Sequence, residues 1–173
     1  MRVFVLIFFI FLFANSCKNR SDRESQDTGT AVDAETLLRI NQQLVKNDIS
    51  RNEAYAKSHG WNYSISGNGI VYEILDHGSG TNGKAGNSVE LSYESALLDG
   101  TFCYSSDSNG IKRFVIDYEE VESGLNDITK LLAEGDSARI ILPPHLAFGL
   151  AGDRDRVPAR SSIVYHLRLL KIH

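Results

Sequence analysis

From residue 61 onward, apolar residues recur at every second position in short runs, and only once at helical spacing. Strand side chains point alternately to opposite faces, so runs of this kind each bury one face of a sheet. Trp61-Asn62-Tyr63-Ser64-Ile65 and Ile70-Val71-Tyr72-Glu73-Ile74 both alternate, and Gly67-Asn68-Gly69 between them supplies the positive φ of a tight hairpin. Val89, Leu91 and Tyr93 begin a strand that ends at Leu98-Asp99-Gly100-Thr101, a second hairpin signal. Residues 102–106 return along it, 107–110 read as a polar loop, and 113–117 form another short strand. After Ser123-Gly124, Leu125, Ile128, Leu131 and Leu132 predict a short helix to about residue 134, with Gly135 as its cap. Residues 138–142 are a strand and 143–162 a long loop. Ile163, Tyr165, Leu167 and Leu169 then share one face of a last strand. Hairpin-linked strands around one short helix predict an α+β fold: an antiparallel sheet whose apolar face that helix covers.

The segment before this pattern reads differently. Residues 34–60 predict a helix, with Asp33 as N-cap, Glu35 in its first turn and a stop near Gly60. Leu37, Ile40 and Leu44, with Leu38, Val45 and Ile49, make an apolar stripe. The stripe either packs on the body of the domain or serves as a homodimerisation arm. The absence of a sustained heptad favours packing. Residues 18–33 hold one Val and no aromatic ring, so residues 17–33 read as a flexible tether. Residues 3–13 are an unbroken apolar run, too short for the roughly 20 residues of a bilayer-spanning helix and suited to the core of a signal peptide. Ala14-Asn15-Ser16-Cys17 follows and resembles a bacterial lipobox, which makes 1–16 a lipoprotein signal peptide and Cys17 a lipidation site. The expectation is a membrane-anchored envelope protein facing the periplasm or the cell surface, with its compact domain at 61–173.

Other classes are excluded on charge and motif. A formal charge of −4 argues against nucleic-acid phosphates as partners. The two cysteines, Cys17 and Cys103, cannot build a disulfide scaffold, and no Cys/His spacing calls for a metal. Gly78-Ser79-Gly80-Thr81-Asn82-Gly83 matches GxGxxG and nearly matches a P-loop, but a strand follows where a phosphate site needs a helix. These glycines read as a flexible turn, and no cofactor is expected.

The long loop carries a family likeness. Gly135-Asp136, Pro143-Pro144, Ala147-Phe148-Gly149, Gly152, Val157-Pro158 and the final run ending Leu169-Leu170 fall in the order seen in FKBP-type peptidyl-prolyl cis-trans isomerases. Upstream, Val89 to Tyr93, Leu98-Asp99-Gly100, Ser105-Ser106, Val121 and Gly124 match the same family. The chain resembles envelope lipoproteins of this family, including the gliding-motility-associated kind. The likeness implies a twisted antiparallel sheet wrapped around a short helix. It also implies an isomerase that acts on proline-containing polypeptides and assists folding of exported proteins. The alternative is a chaperone or binding module on the same fold, with weak or no isomerase activity.

The chemistry asks for little. Rotation about a peptide bond is opposed by amide resonance, a barrier of about 18–20 kcal/mol. Resonance is weaker where its charge-separated form is poorly solvated, so an apolar, aromatic-lined pocket suffices without a nucleophile or metal. By resemblance, Tyr93, Val121, Phe148, Val157 and Tyr165 fall at the family's pocket positions, with Phe148 lacking the hydroxyl of the family's tyrosine. Cys103-Tyr104 stands where the family has Phe-Asp, Leu125 where it has a floor tryptophan, and Glu122 where it has isoleucine. These four border the same pocket, and Phe114 is placed either there or in the core.

Overall fold

The computed structural model describes residues 33–173. The signal segment, Cys17 and nearly all of the tether lie outside the described residues.

Helix α1 (Ala34–Ser58) opens the described chain, directly after Asp33. Strands β1 (Ser64–Ile65), β2 (Val71–Asp76), β3 (Ser88–Leu97) and β4 (Phe102–Ser105) follow. A one-turn helix α2 (Ser106–Asn109) stands where a polar loop was expected, and β5 (Lys112–Val115) comes next. Then come helix α3 (Ser123–Leu131), β6 (Ser137–Leu142), a 3-10 turn (Pro144–Leu146) inside the long loop, and β7 (Ile163–Ile172). The strands form one sheet in the order β1-β2-β6-β7-β3-β4, with β5 also on β3. Every pairing is antiparallel, as the hairpin pattern predicts.

One edge of β3 is shared. Its first half pairs with β5 (Val89 opposite Phe114) and its second half with β4 (Ser95 opposite Tyr104). The break between them leaves the Tyr93 N–H without a strand partner, and the Ser106 hydroxyl accepts it at 2.8 Å. Helix α2 is therefore the device that closes the gap in the ladder.

α3 lies on the inner face. Leu125, Ile128 and Leu132 are fully buried against Val89, Leu91, Ile140, Leu142, Tyr165 and Leu169. Each such side chain contributes about 1.5–3 kcal/mol by leaving water. Leu131, expected in the stripe, is 43% exposed. The helix also stops earlier than predicted. Leu132 caps it, and Gly135 instead makes the left-handed turn into β6, its N–H donating to the Leu169 carbonyl at 2.8 Å.

The outer face is covered at one end by α1. Ala56 and Trp61 pack on Val71, Ile141 and Val164. The stripe reading needs correction here. Leu37, Leu38 and Ile40 are exposed, Leu44, Val45 and Ile49 are half-buried, and the fully buried helix positions are Asp48, Asn52 and Ala56. Asp48 docks the helix through the long loop: one carboxylate oxygen binds Arg51, the other Arg160 at 2.9 Å.

The glycine-rich turn packs closely on the end of α3. A Cβ at Gly78 would lie 2.1 Å from the Glu134 carbonyl, and one at Gly83 would lie 2.6 Å from that of Thr129. Asp136, 2% exposed, fixes the same contact by accepting from the N–H of Gly78 (2.7 Å) and of Ala133 (2.8 Å). These glycines permit close backbone approach to the end of α3.

Candidate active site

A cavity of about 500 Å³ opens between the start of α3 and the long loop, lined by Lys112, Glu120, Val121, Glu122, Ala147 and Phe148. Its residues arrive from three elements. Glu122 is the N-cap of α3, held with φ −53° and ψ 125°. Phe148 follows the 3-10 turn, where the Gly149 N–H returns to the Pro144 carbonyl at 2.8 Å. Lys112 starts β5, directly opposite Leu91.

Beneath the cavity lies a polar cluster. The Glu122 carboxylate, in a residue only 8% exposed, accepts the Tyr165 hydroxyl at 2.7 Å. It also accepts from Lys112 Nζ at 2.8 and 2.9 Å. The Lys112 ammonium sits 5.4 Å from the centre of the Tyr93 ring, a cation–π distance. The Tyr93 and Tyr165 rings are 6.0 Å apart and tilted. Burial, followed by the negative charge of Glu122, raises the pKa of both tyrosines above the usual 10.0, Tyr165 most strongly. Both phenols therefore stay protonated at neutral pH, and that of Tyr165 is a hydrogen-bond donor.

The expected pocket residues separate into two groups. Val121, Glu122 and Phe148 line the cavity, and Tyr93 adjoins it through Lys112. Cys103, Leu125, Val157 and Tyr165 are buried beneath, as members of the core. Phe114 resolves to the core at 2% exposed, while Lys112, two residues earlier on the same strand face, reaches the cavity.

Lys112 and Glu120 escaped the sequence reading, and Ala147 entered it only as part of a loop motif. A signal for Lys112 existed. Residues 112 and 114 share a strand face, so an inward Phe114 implies an inward lysine, which needs a buried acid such as Glu122.

Tyr104 takes a different part. Its hydroxyl donates to Asp153, whose other oxygen accepts from the N–H groups of Asp155 (2.9 Å) and Val157 (2.8 Å). The hydrogen bond to Asp153 pushes the Tyr104 pKa up to about 12. Arg156 lies over the Tyr104 ring at 5.3 Å and donates to the Cys103 carbonyl at 2.7 Å. Tyr104 thus ties β4 to the loop and sets Val157 against the core. Among the described residues, no group of three or more His, Cys, Asp or Glu side chains could hold a metal ion.

Comparison with known proteins places this architecture. The family model described as FKBP-type peptidyl-prolyl cis-trans isomerase matches residues 80–170. The FKBP-type peptidyl-prolyl cis-trans isomerase FkpA of Escherichia coli K12 is 27% identical over 166 residues, covering 92% of this chain and 60% of that protein. The probable FkpA of Neisseria meningitidis is 28% identical over 129 residues, covering 73% of this chain and 47% of that one. The chain thus spans about half to three fifths of the length of these relatives. The crystal structure of Escherichia coli FkpA superposes with a TM-score of 0.60 at 26% identity, over 99% of this chain and 82% of that one. A peptidyl-prolyl cis-trans isomerase structure from Pseudomonas syringae shares the fold, with a TM-score of 0.63 at 22% identity, over 76% of this chain and 94% of that one. With a matched segment that runs from the glycine turn through the long loop and into the last strand, this chain belongs to the FKBP-type peptidyl-prolyl cis-trans isomerase family.

Proposed function

We propose that the protein is a peptidyl-prolyl cis-trans isomerase acting on proline-containing segments of exported polypeptides in the cell envelope. The observation that carries this reading is the open cavity walled by Val121, Ala147 and Phe148 above the Tyr93–Tyr165 pair. A prolyl ring fits such apolar walls, and poor solvation there weakens the resonance that opposes rotation. The spontaneous reaction takes tens to hundreds of seconds, so a modest lowering of the barrier is measurable. Exchange NMR on an unstructured peptide with one Leu-Pro bond tests the reading: catalytic amounts of folded protein accelerate exchange, and Phe148→Ala abolishes most of the gain. Folded protein with no acceleration would return the reading to a binding module.

In this proposal Tyr93, Val121, Phe148, Val157 and Tyr165 form the pocket and its floor. Residues 61–173 are the catalytic domain, preceded by a helix at 34–60, a tether at 17–33 and a signal peptide at 1–16. Lipid on Cys17 holds the protein at a membrane, and fatty-acid labelling lost in Cys17→Ser checks this. Exposed Leu37, Leu38 and Ile40 support self-association through α1, which sedimentation of the triple alanine variant tests.

A further inference from the structure

We infer that Lys112 is a client-binding residue, whose ammonium holds a backbone carbonyl flanking the prolyl bond. This inference rests on the isomerase reading above.

A peptide entering the cavity brings carbonyl oxygens out of water, and a buried acceptor without a donor is costly. The cavity's lining side chains are Lys112, Glu120, Val121, Glu122, Ala147 and Phe148. Val121, Ala147 and Phe148 have no polar atom, and the two carboxylates are acceptors when ionised. Lys112 is therefore the one side-chain donor among them. Its position is over-determined, because both Glu122 oxygens (2.8 and 2.9 Å) and the Tyr93 ring (5.4 Å) hold the ammonium. The Glu122 carboxylate is in turn held by the Tyr165 hydroxyl at 2.7 Å. The Lys112 side chain remains 25% exposed against 6% for Glu122, so the ammonium can meet a ligand while its counter-charge stays below. An ammonium has three protons, and the carboxylate takes at most two in good geometry. The remaining proton serves the client.

Chemistry selects the client atom. A donor on the rotating carbonyl would stabilise the planar, charge-separated amide and raise the barrier. A donor on the developing prolyl nitrogen lone pair would act only in the twisted state. A flanking peptide carbonyl keeps its resonance throughout, so a hydrogen bond to it persists as the bond turns and holds one side of the chain still. Such an interaction is equal in ground and transition states, and its loss appears in KM rather than kcat.

The test uses the full chain, the Leu-Pro peptide and exchange NMR across peptide concentrations. Lys112→Met raises KM about 10- to 100-fold, the range for a hydrogen bond to a charged group, while kcat stays within about twofold. Lys112→Arg keeps a donor and a KM near wild type. Phe148→Tyr in the Lys112→Met background places a hydroxyl on the opposite wall and recovers part of the loss. If Lys112→Met fails to fold, Lys112→Met with Glu122→Gln leaves no unpaired charge, keeps an acceptor for Tyr165 and shows the same KM rise. An unchanged KM, a rise in kcat (contact with the rotating carbonyl) or a fall in kcat alone (contact with nitrogen) each overturns the inference. If wild type does not accelerate exchange, the isomerase reading falls by itself. Titration of the same peptide then still decides Lys112, its variants binding more weakly if the contact is real and equally if it is not.

Discussion

Replacing Tyr165 by Phe removes a single oxygen from a ring that is 2% exposed. The ring remains, so the packing against α3 is kept. Glu122 loses the donor at 2.7 Å and retains Lys112 at 2.8 and 2.9 Å. A hydrogen bond to a charged group contributes about 1.5–3 kcal/mol, so Tyr165→Phe should destabilise by about 2 kcal/mol. Glu122→Leu does different damage. It strands the Tyr165 hydroxyl, at about 1–3 kcal/mol, while the partly exposed Lys112 turns toward water at lesser cost. Removing all three polar groups together, as Tyr165→Phe, Glu122→Leu and Lys112→Met, leaves nothing unsatisfied. Apolar replacement of a complete buried ion cluster is often neutral or stabilising. The triple variant should therefore lose less than the sum of the single changes by more than about 1 kcal/mol, well outside the 0.3–0.5 kcal/mol expected of independent sites. Urea unfolding followed by the fluorescence of Trp61, the chain's one tryptophan, measures each value. Additive losses, or a Tyr165→Phe protein as stable as wild type, would refute the coupled cluster.

Three further outcomes follow from other parts of the molecule. Asn52 is fully buried and neither of its amide atoms has a hydrogen-bond partner, so Asn52→Leu should stabilise by about 1–2 kcal/mol in the same assay; a loss of stability would contradict it. Gly152 has φ +68° and its Cβ would lie 2.1 Å from the Val157 carbonyl, so Gly152→Ala should destabilise by at least about 2 kcal/mol; an unchanged urea midpoint would show that the loop relaxes freely. Burial raises Cys103 above 9.0, and burial with the Glu122 charge raises Tyr93 and Tyr165 above 10.0. The folded state then keeps protons that the unfolded chain releases, so the contribution of these groups is fully present below about pH 9 and declines as pH rises through the cysteine and tyrosine ranges. Urea midpoints that stay level or rise toward about pH 11 would count against this.

The strands were legible because each buries one face, and period-two alternation is written directly into Val89-Glu90-Leu91-Ser92-Tyr93 and the last strand. The family likeness reached Val121, Glu122 and Phe148 because loop motifs keep their spacing. Lys112 was legible only through the strand face it shares with Phe114, since the polar residues 105–110 between β4 and β5 give no sign of the helical turn that sets its register. Phe114 consequently took its place as a candidate. The α1 stripe misled for a related reason. Leu37, Leu38 and Ile40 sit at helical spacing, yet docking is decided by Asp48 reaching Arg160, a partner 112 residues away. The glycine motif looked like local flexibility because the backbone it approaches, at Thr129 and Glu134, lies some fifty residues later.

β7 lies between β6 and β3, and both of those precede it in the chain. A polypeptide made or exported from its N-terminus therefore presents β3 long before, and β6 somewhat before, the strand that joins them exists. Until residue 172 has emerged, the edges of β3 and β6 that face each other have no strand between them, and helix α3 has half a sheet to rest on. Long-range pairing of this kind slows folding and prolongs the time during which apolar edges are open to other chains. A protein proposed to hasten the folding of others thus has a vulnerable interval of its own, and its length is set by the time between the synthesis of β3 and that of β7.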